Sequence, residues 1–524
     1  MSKDLFKSQS GLRRDVGVWG SFMWGYADVG ANVYVALGIV IAAAQGAASL
    51  AFAVAGLVYI LIGLAYTELA SAYPIAGGGQ YFSMRGLGDI WGFISGSSLL
   101  LDYTIDIALF ATASAGYINF FMPYILGHSI KDYVINIGPF AINYFWYLET
   151  LAIILILVFI NIKGVKESSR LNEIFGVIEI LTESGLVILG FVFAWSPEKF
   201  LYQWHTQQPS LNQFMYGTSL AIISFIGLES ISQAAQETRR PATIIPRTSI
   251  ALIFTVFLTA ISFSTLGLGV LDWQVLAEHQ ANPVAKLADA IPYIGIIAGP
   301  FTAVMGAIIL FISSNTGVMG ASRLTFCMSQ FGLISKWFDY VHPKFKTPVR
   351  TILVFSFIAI VELTVAFLTP KAIDTLGNLY AFGATLGYIL VFLALIRLRY
   401  IDPYSPRPYK VPFNIKVKYH GHEVEFPLFA VIGTIGVSTI FFMVIWTHSI
   451  GRIAGPAWVI LCLIYYFIYR AKNKLPLVGS VERNWEKEQI EVLESAEEYD
   501  LVEQYKIALK DRDKKGQPPN LTTP

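Results

Sequence analysis

Carboxylates interrupt several of the apolar runs in this chain. In "GYADVGANVYVALG" (25–38) Asp28 sits among Gly25, Gly30 and Asn32. In "LLLDYTIDIALFATASAGY" Asp102 and Asp106 are four residues apart, so on a helix they share one face, beside Tyr103. "NEIFGVIEILTESG" repeats that spacing with Glu179 and Glu183, and "SFIGLESISQAAQE" places Gly227 and Glu229 after Phe225. An ionised side chain at the centre of a bilayer costs about 2.5–3.5 kcal/mol on insertion scales, so such residues usually face a cavity or a partner. By helix rise, Asp28 and Asp102 lie about 18–20 Å from the same membrane face. Three carboxylates at one depth cannot all ionise cheaply without a cation or a proton among them. The chemistry on offer is therefore capture of a positive charge, with protons as the alternative occupants. Hydrogen bonds to neighbouring helices would satisfy one such Asp, but hardly three.

The elements that must hold these residues are membrane helices. The chain of 524 residues is 55% hydrophobic and only 14% charged, outside the range of soluble domains. Apolar runs near 17–44, 48–73, 89–124, 144–162, 173–195, 211–235, 248–270, 293–320, 349–368, 374–397, 427–447 and 452–470 predict twelve spanning helices, here helices 1 to 12. Every second loop is poor in basic residues, carrying only Lys131, Lys199, Lys286, Lys371 and Arg452. The remaining loops hold clusters such as Arg13–Arg14, Arg239–Arg240 and Lys344–Lys346. That bias places both termini in the cytoplasm. Gly and acid residues break helix 1 and, five helices later, helix 6, which points to a central site in an inverted-repeat architecture.

Other function classes find little support. No HExxH, GxSxG or Cys–His set lies in the spans, so no enzyme is expected. A sensor has no need of two broken helices. Net charge is +1, which gives no reason to expect a nucleic-acid partner. Cys327 and Cys462 make neither a disulfide framework nor a metal set. His420 and His422, in a hairpin over 404–427, read as a solvated turn rather than a metal site, and no cofactor is expected. Residues 1–15 show no cleavable signal. The charged stretch 480–524 reads as a surface helix on the cytoplasmic side.

Motifs in order along 15–470 resemble the amino acid–polyamine–organocation superfamily of permeases. "YPIAGGGQYFSMRGLGDIWGF" (73–93) is similar to its glycine-rich loop after helix 2, and "FIGLESISQAAQETRRPATIIPR" (225–247) to its helix 6 and following loop. "NTGVMGASRLTFCMSQFGLISKWFDYVHPKFKTP" (315–348) resembles the end of helix 8, and "RPYKVP" (407–412) the motif before helix 11. The resemblance implies an all-α protein with a five-plus-five inverted repeat and alternating access around a site between helices 1, 3, 6 and 8. It divides the chain into an N-terminus (1–15), a transporter domain (16–470) and a tail (471–524). Within the domain, the halves are 16–195 and 211–397, with extra helices over 427–470.

Departures from the family pattern bear on the substrate. Family members hold a substrate carboxylate with a Gly-Ser-Gly type stretch in helix 1. Here the aligned residues are Gly30, Ala31 and Asn32, with Asp28 just before them. "YADVGANVY" resembles a signature of Kup-type potassium transporters, and "LLLDYTIDIA" resembles helix 3 of KimA-type potassium importers, which carries Asp102 and Tyr103 over as cation ligands. Where many proton-coupled members have a switch lysine, this chain has Glu179. The expectation is a plasma-membrane, proton-coupled symporter of an amino acid or small organic amine, preferring positive charge. The alternative is proton-coupled uptake of potassium, a monovalent cation, through the same fold. The expected substrate set is Asp28, Gly30, Ala31, Asn32, Asp102, Tyr103, Asp106, Phe225, Gly227 and Glu229, with Glu179 handling the proton.

Overall fold

The computed structural model describes residues 16–75, 77–128, 133–164, 168–233, 235, 237–369, 371–419 and 422–514. His420 and the N-terminus 1–15 lie outside the described residues. The described residues form a bundle of helices with two small antiparallel hairpins.

Among the described residues, eleven segments are long and apolar enough to cross a membrane. The first, Val18–Ala72, has 55 residues. As one helix it would measure about 80 Å, against a hydrocarbon core of about 30 Å. It folds back at Gln45, whose φ of 49° ends the first pass. This segment therefore supplies helices 1 and 2, which reconciles eleven segments with the twelve passes expected.

Helix 1 comprises Val18–Val29 and Asn32–Ala44, and helix 2 is Ala48–Ala72. Helices 3, 4 and 5 are Asp89–Ile118, Tyr144–Lys163 and Ser168–Phe193. Helix 6 comprises Leu211–Ala221, a tighter turn Ile222–Phe225, and Glu229–Gln233. Helices 7 to 12 are Pro241–Val270, Gly295–Gln330, Val349–Phe367, Ala372–Ile401, Leu428–Thr447 and Ser449–Lys472.

Helix 3 is the axis. It is buried almost along its whole length and packs against helices 8 and 10. Helices 4, 5, 9 and 12 turn side chains such as Phe159, Ile188, Phe357 and Leu461 outward. That apolar exterior suits a hydrocarbon solvent. Helix 8 runs ten residues beyond its expected end at 320, where Cys327 meets Gly77 and, in the short helix Gly78–Leu87, Gln80, and Met328 packs on Gly96 at the start of helix 3. Gly88 joins those two elements at φ +106°, a conformation that a Cβ would strain.

One face of the bundle carries the tail, and Val16 bridges Thr238 there. On this tail face the expected hairpin pairs Asn414–Tyr419 with His422–Pro427. The tail departs from a single surface helix. It forms Trp485–Ser495 and Tyr499–Lys514, turning at Glu497 with φ 58°. It also docks: Gln489 donates to the Ala72 carbonyl at 2.8 Å, and Glu498 accepts from the Ala242 amide at 3.1 Å. The opposite face carries a second hairpin, Val134–Ile137 with Phe140–Asn143.

Candidate functional site

The breaks in helices 1 and 6 differ in depth. Helix 6 is unwound: Ile226 is extended and Gly227 stands at φ +117°. Helix 1 departs from the expectation of a fully unwound stretch. Gly30 and Ala31 keep α-region dihedrals, and the Gly30 amide still reaches the Tyr26 carbonyl at 2.8 Å. Its interruption is a turn within a nearly continuous helix. The two breaks face each other. A Cβ on residue 227 would come within 3.1 Å of the Asp28 carboxylate, a tight approach, and the φ of +117° there strains any residue but glycine. Asn32 spans the gap, its amide donating to the Ile223 and Ile226 carbonyls at 2.9 and 2.7 Å. The Ile223 carbonyl keeps only a long bond from the Ile226 amide, at 3.4 Å, where helix 6 unwinds, and Asn32 supplies donors to both carbonyls.

Around this junction the structure gathers four carboxylates. The Thr316 hydroxyl of helix 8 is hydrogen-bonded to Asp28. Glu229 accepts from Tyr388 of helix 10 at 2.9 Å and from the Gly227 amide at 3.3 Å. The Asp102 carboxyl faces that of Glu229 and lies within electrostatic reach of Asp28 and Asp106. Asp106 packs on Gly317, Tyr103 packs on Gly320, and Tyr380 reaches Asp106. All four acids are at most 3% exposed. Among the described residues no lysine or arginine is an interaction partner of these acids. Both oxygens of Asp102, one each of Asp106 and Glu229, and the hydroxyls of Tyr66 and Tyr103 are buried without a hydrogen-bond partner. Among the described residues no group of acids, histidines or cysteines is arranged to hold a metal ion.

Not every expected residue lies on this cluster. The Phe225 ring stacks on Tyr59 of helix 2, with centroids 5.1 Å apart, and fills the space beside Gly56. Ala31 is fully buried and has no polar side-chain atom to offer, while Asn32 spends its donors on helix 6. Thr316, Tyr380 and Tyr388 were missed. Tyr380 and Tyr388 stand two helical turns apart in "NLYAFGATLGY", a stripe interspersed with glycines that could have been read as a polar face.

Glu179 lies on a separate site. It is fully buried next to Glu183, and both its oxygens lack a hydrogen-bond partner. The Tyr26 hydroxyl of helix 1 donates to Glu183. Gly176 of helix 5 meets Met23, and Gly20 meets Glu173, so helices 1 and 5 run side by side along this contact.

Comparison with known proteins gives the family. The profile described as "Amino acid permease" matches residues 16–469. The branched-chain amino acid permease BcaP of Bacillus subtilis is 26% identical over 483 residues, covering 90% of this chain and 97% of the relative. The human cationic amino acid transporter 4 is 28% identical over 400 residues, covering 72% of this chain and 59% of the relative. The methylthioribose transporter of Bacillus subtilis is 25% identical, covering 85% of this chain and 91% of the relative. The chain belongs to the amino acid permease family and is a multi-pass membrane transporter rather than an enzyme.

Proposed function

We propose that the chain is a proton-coupled symporter of the plasma membrane whose substrate is a positively charged amino acid or small amine. Its termini would be cytoplasmic, and helices 1–5 and 6–10 would form the inverted halves. The observation that carries this reading is the cluster of Asp28, Asp102, Asp106 and Glu229, buried together with no cationic side chain. Like charges so placed favour an added positive charge, from an ammonium group or from protons. Thr316 adds a second argument. Its one hydroxyl hydrogen faces two acceptors, Asp28 and the Ser313 carbonyl at 2.6 Å. A carbonyl cannot donate, so a proton on Asp28 completes the chain of bonds. The names of the relatives point both ways, to branched-chain and to cationic amino acids, and the acid cluster favours the cationic class.

Proteoliposomes loaded at neutral pH test the proposal. Labelled arginine, putrescine, leucine and rubidium are supplied outside, with and without an inward proton gradient. Gradient-driven uptake of arginine or putrescine, unaffected by excess rubidium, is the expected result. Uptake of leucine that cationic amines do not compete would refute the preference for charge. Rubidium uptake without amine uptake would establish the potassium alternative instead.

A further inference from the structure

Helix 1 presents different chemistry on its two sides, next to its turn. Tyr26 and Asp28 are two residues apart, about 200° around the helix axis. Asp28 faces Gly227 of helix 6 and Thr316 of helix 8, whereas Tyr26 faces helix 5 and donates to Glu183. The Tyr26 ring is also part of the turn. A Cβ on Gly30 would lie 2.8 and 2.9 Å from carbons of that ring. Beside the ring runs a narrow crevice bounded by Tyr26, Gly30, Ser224 of helix 6, and Val256, Thr259 and Ala260 of helix 7. Behind Tyr26, Glu179 and Glu183 are buried four residues apart on one helix face. Three of their four oxygens have no partner.

We infer that Glu183, acting through the Tyr26 hydroxyl, is a positioning residue that links proton occupancy of the Glu179–Glu183 pair to the geometry of the helix 1 turn. The inference rests on the proton-coupled reading above and adds a residue to it. With one proton on the pair, the Glu183 carboxylate accepts the Tyr26 hydroxyl in a charge-assisted bond and pins the ring against Gly30. Such bonds are roughly twice as strong as neutral ones. With a second proton the bond becomes neutral and weaker, and the ring is freer to shift away from Gly30. The turn then carries that movement to Asp28 on its far side. The other titratable groups that face the pair are Tyr34 of helix 1 and Tyr117 of helix 3, which donates to the Tyr34 carbonyl at 3.0 Å. Helices 7 and 8 also pack on helix 5 but bring no titratable group to the pair among the described residues.

The test is the pH profile of uptake in proteoliposomes for wild type, Tyr26→Phe, Glu183→Gln and Glu179→Gln, with whichever substrate the panel above identifies. Tyr26→Phe keeps the ring and removes only the hydroxyl. The expected result is a shift of at least about one pH unit in half-maximal uptake for Tyr26→Phe and for Glu183→Gln. It should appear in the maximal rate more than in the half-saturating substrate concentration. If both variants keep the wild-type profile while Glu179→Gln loses proton-driven uptake, this inference is overturned and the coupling reading survives. If Glu179→Gln also keeps the wild-type profile, the coupling reading itself has failed. Should Glu183→Gln not fold, Tyr26→Phe decides alone.

Discussion

At the tail face Glu68 is fully buried, yet Arg399 lies at 2.7 Å, Arg407 at 3.3 Å and the Val411 amide at 2.8 Å. Asp89 is flanked by Arg470 at 3.0 Å and by Arg483, and Asp402 takes Arg85 at 2.7 Å and the Tyr73 hydroxyl at 2.9 Å. In the membrane interior Asp28, Asp102, Asp106 and Glu229 are as deeply buried and meet tyrosines, a threonine and one another. Burial is the same, and partnership is opposite. Arginines that neutralise an acid also fix its position, so the tail-face groups lock helices 2, 3, 10 and 12 to the loops and tail. Acids left without a cation can take one up and release it, which is what a transported positive charge needs.

One substitution type, carboxylate to amide, should therefore act in opposite ways in the two regions. Glu68→Gln leaves Arg399 and Arg407 buried with their shared acid gone. Breaking such a pair costs about 3–5 kcal/mol, so the variant should show a sharply lower melting temperature or fail to accumulate. Asp102→Asn removes a charge that has no cationic partner and should not lower the melting temperature. If the two variants unfold alike, the interior acids are as structural as those at the tail face.

Within the interior the two acid sites should separate by what they abolish. Glu179→Gln should eliminate proton-driven accumulation while a titration with substrate still raises the melting temperature, as a ligand of the folded state does. Accumulation equal to wild type would leave Glu179 as a packing residue. Asp28→Asn and Asp102→Asn should each weaken binding of a cationic substrate by at least about tenfold, or about 1.4 kcal/mol. Wild-type binding in both would remove the acidic cluster from the substrate's path.

The difference between the regions also marks what the sequence made legible. Asp28, Asp102 and Glu229 stand out because a carboxylate in an apolar run is costly wherever the helix lies. Gly227 was legible as a breaker, and the break in helix 6 follows from it. The break in helix 1 was read as too deep, because Gly30 tolerates helical dihedrals as readily as unwound ones. Thr316 was hidden, since a hydroxyl on a membrane helix reads as ordinary packing until its neighbours are known, whereas the Tyr380–Tyr388 stripe offered a polar face that went unread. Glu183 was visible, but Tyr26 is 157 positions away from it, and only the packing of helices 1 and 5 brings the two together. The tail was the least legible part. Its charges suggested a solvated helix, whereas Gln489, Glu498 and Arg483 each reach a partner on the bundle.

That docked tail yields the smallest expected effect, and one of opposite sign to ordinary acid denaturation. Glu488, on the tail helix Trp485–Ser495, has its carboxyl raised to about 7, chiefly by burial, which Arg85 and Arg483 only partly oppose. The neutral form is thus the better fit in the docked tail, and undocking lets the group return toward its ordinary value of 4.5. Its contribution to docking is complete below that ordinary value and is lost as pH rises through about 7. Asp89 and Asp402 on the same face are each held by arginines, so the tail should loosen without the frame coming apart. Hydrogen exchange over 485–514 should quicken between about pH 5 and pH 8 beyond the intrinsic base-catalysed increase, while helix 3 stays protected. Glu488→Gln should stay docked at the higher pH and flatten the dependence. If exchange of the tail in Glu488→Gln follows wild type across the window, Glu488 does not govern docking, and the contrast between paired and unpaired acids would hold only inside the membrane.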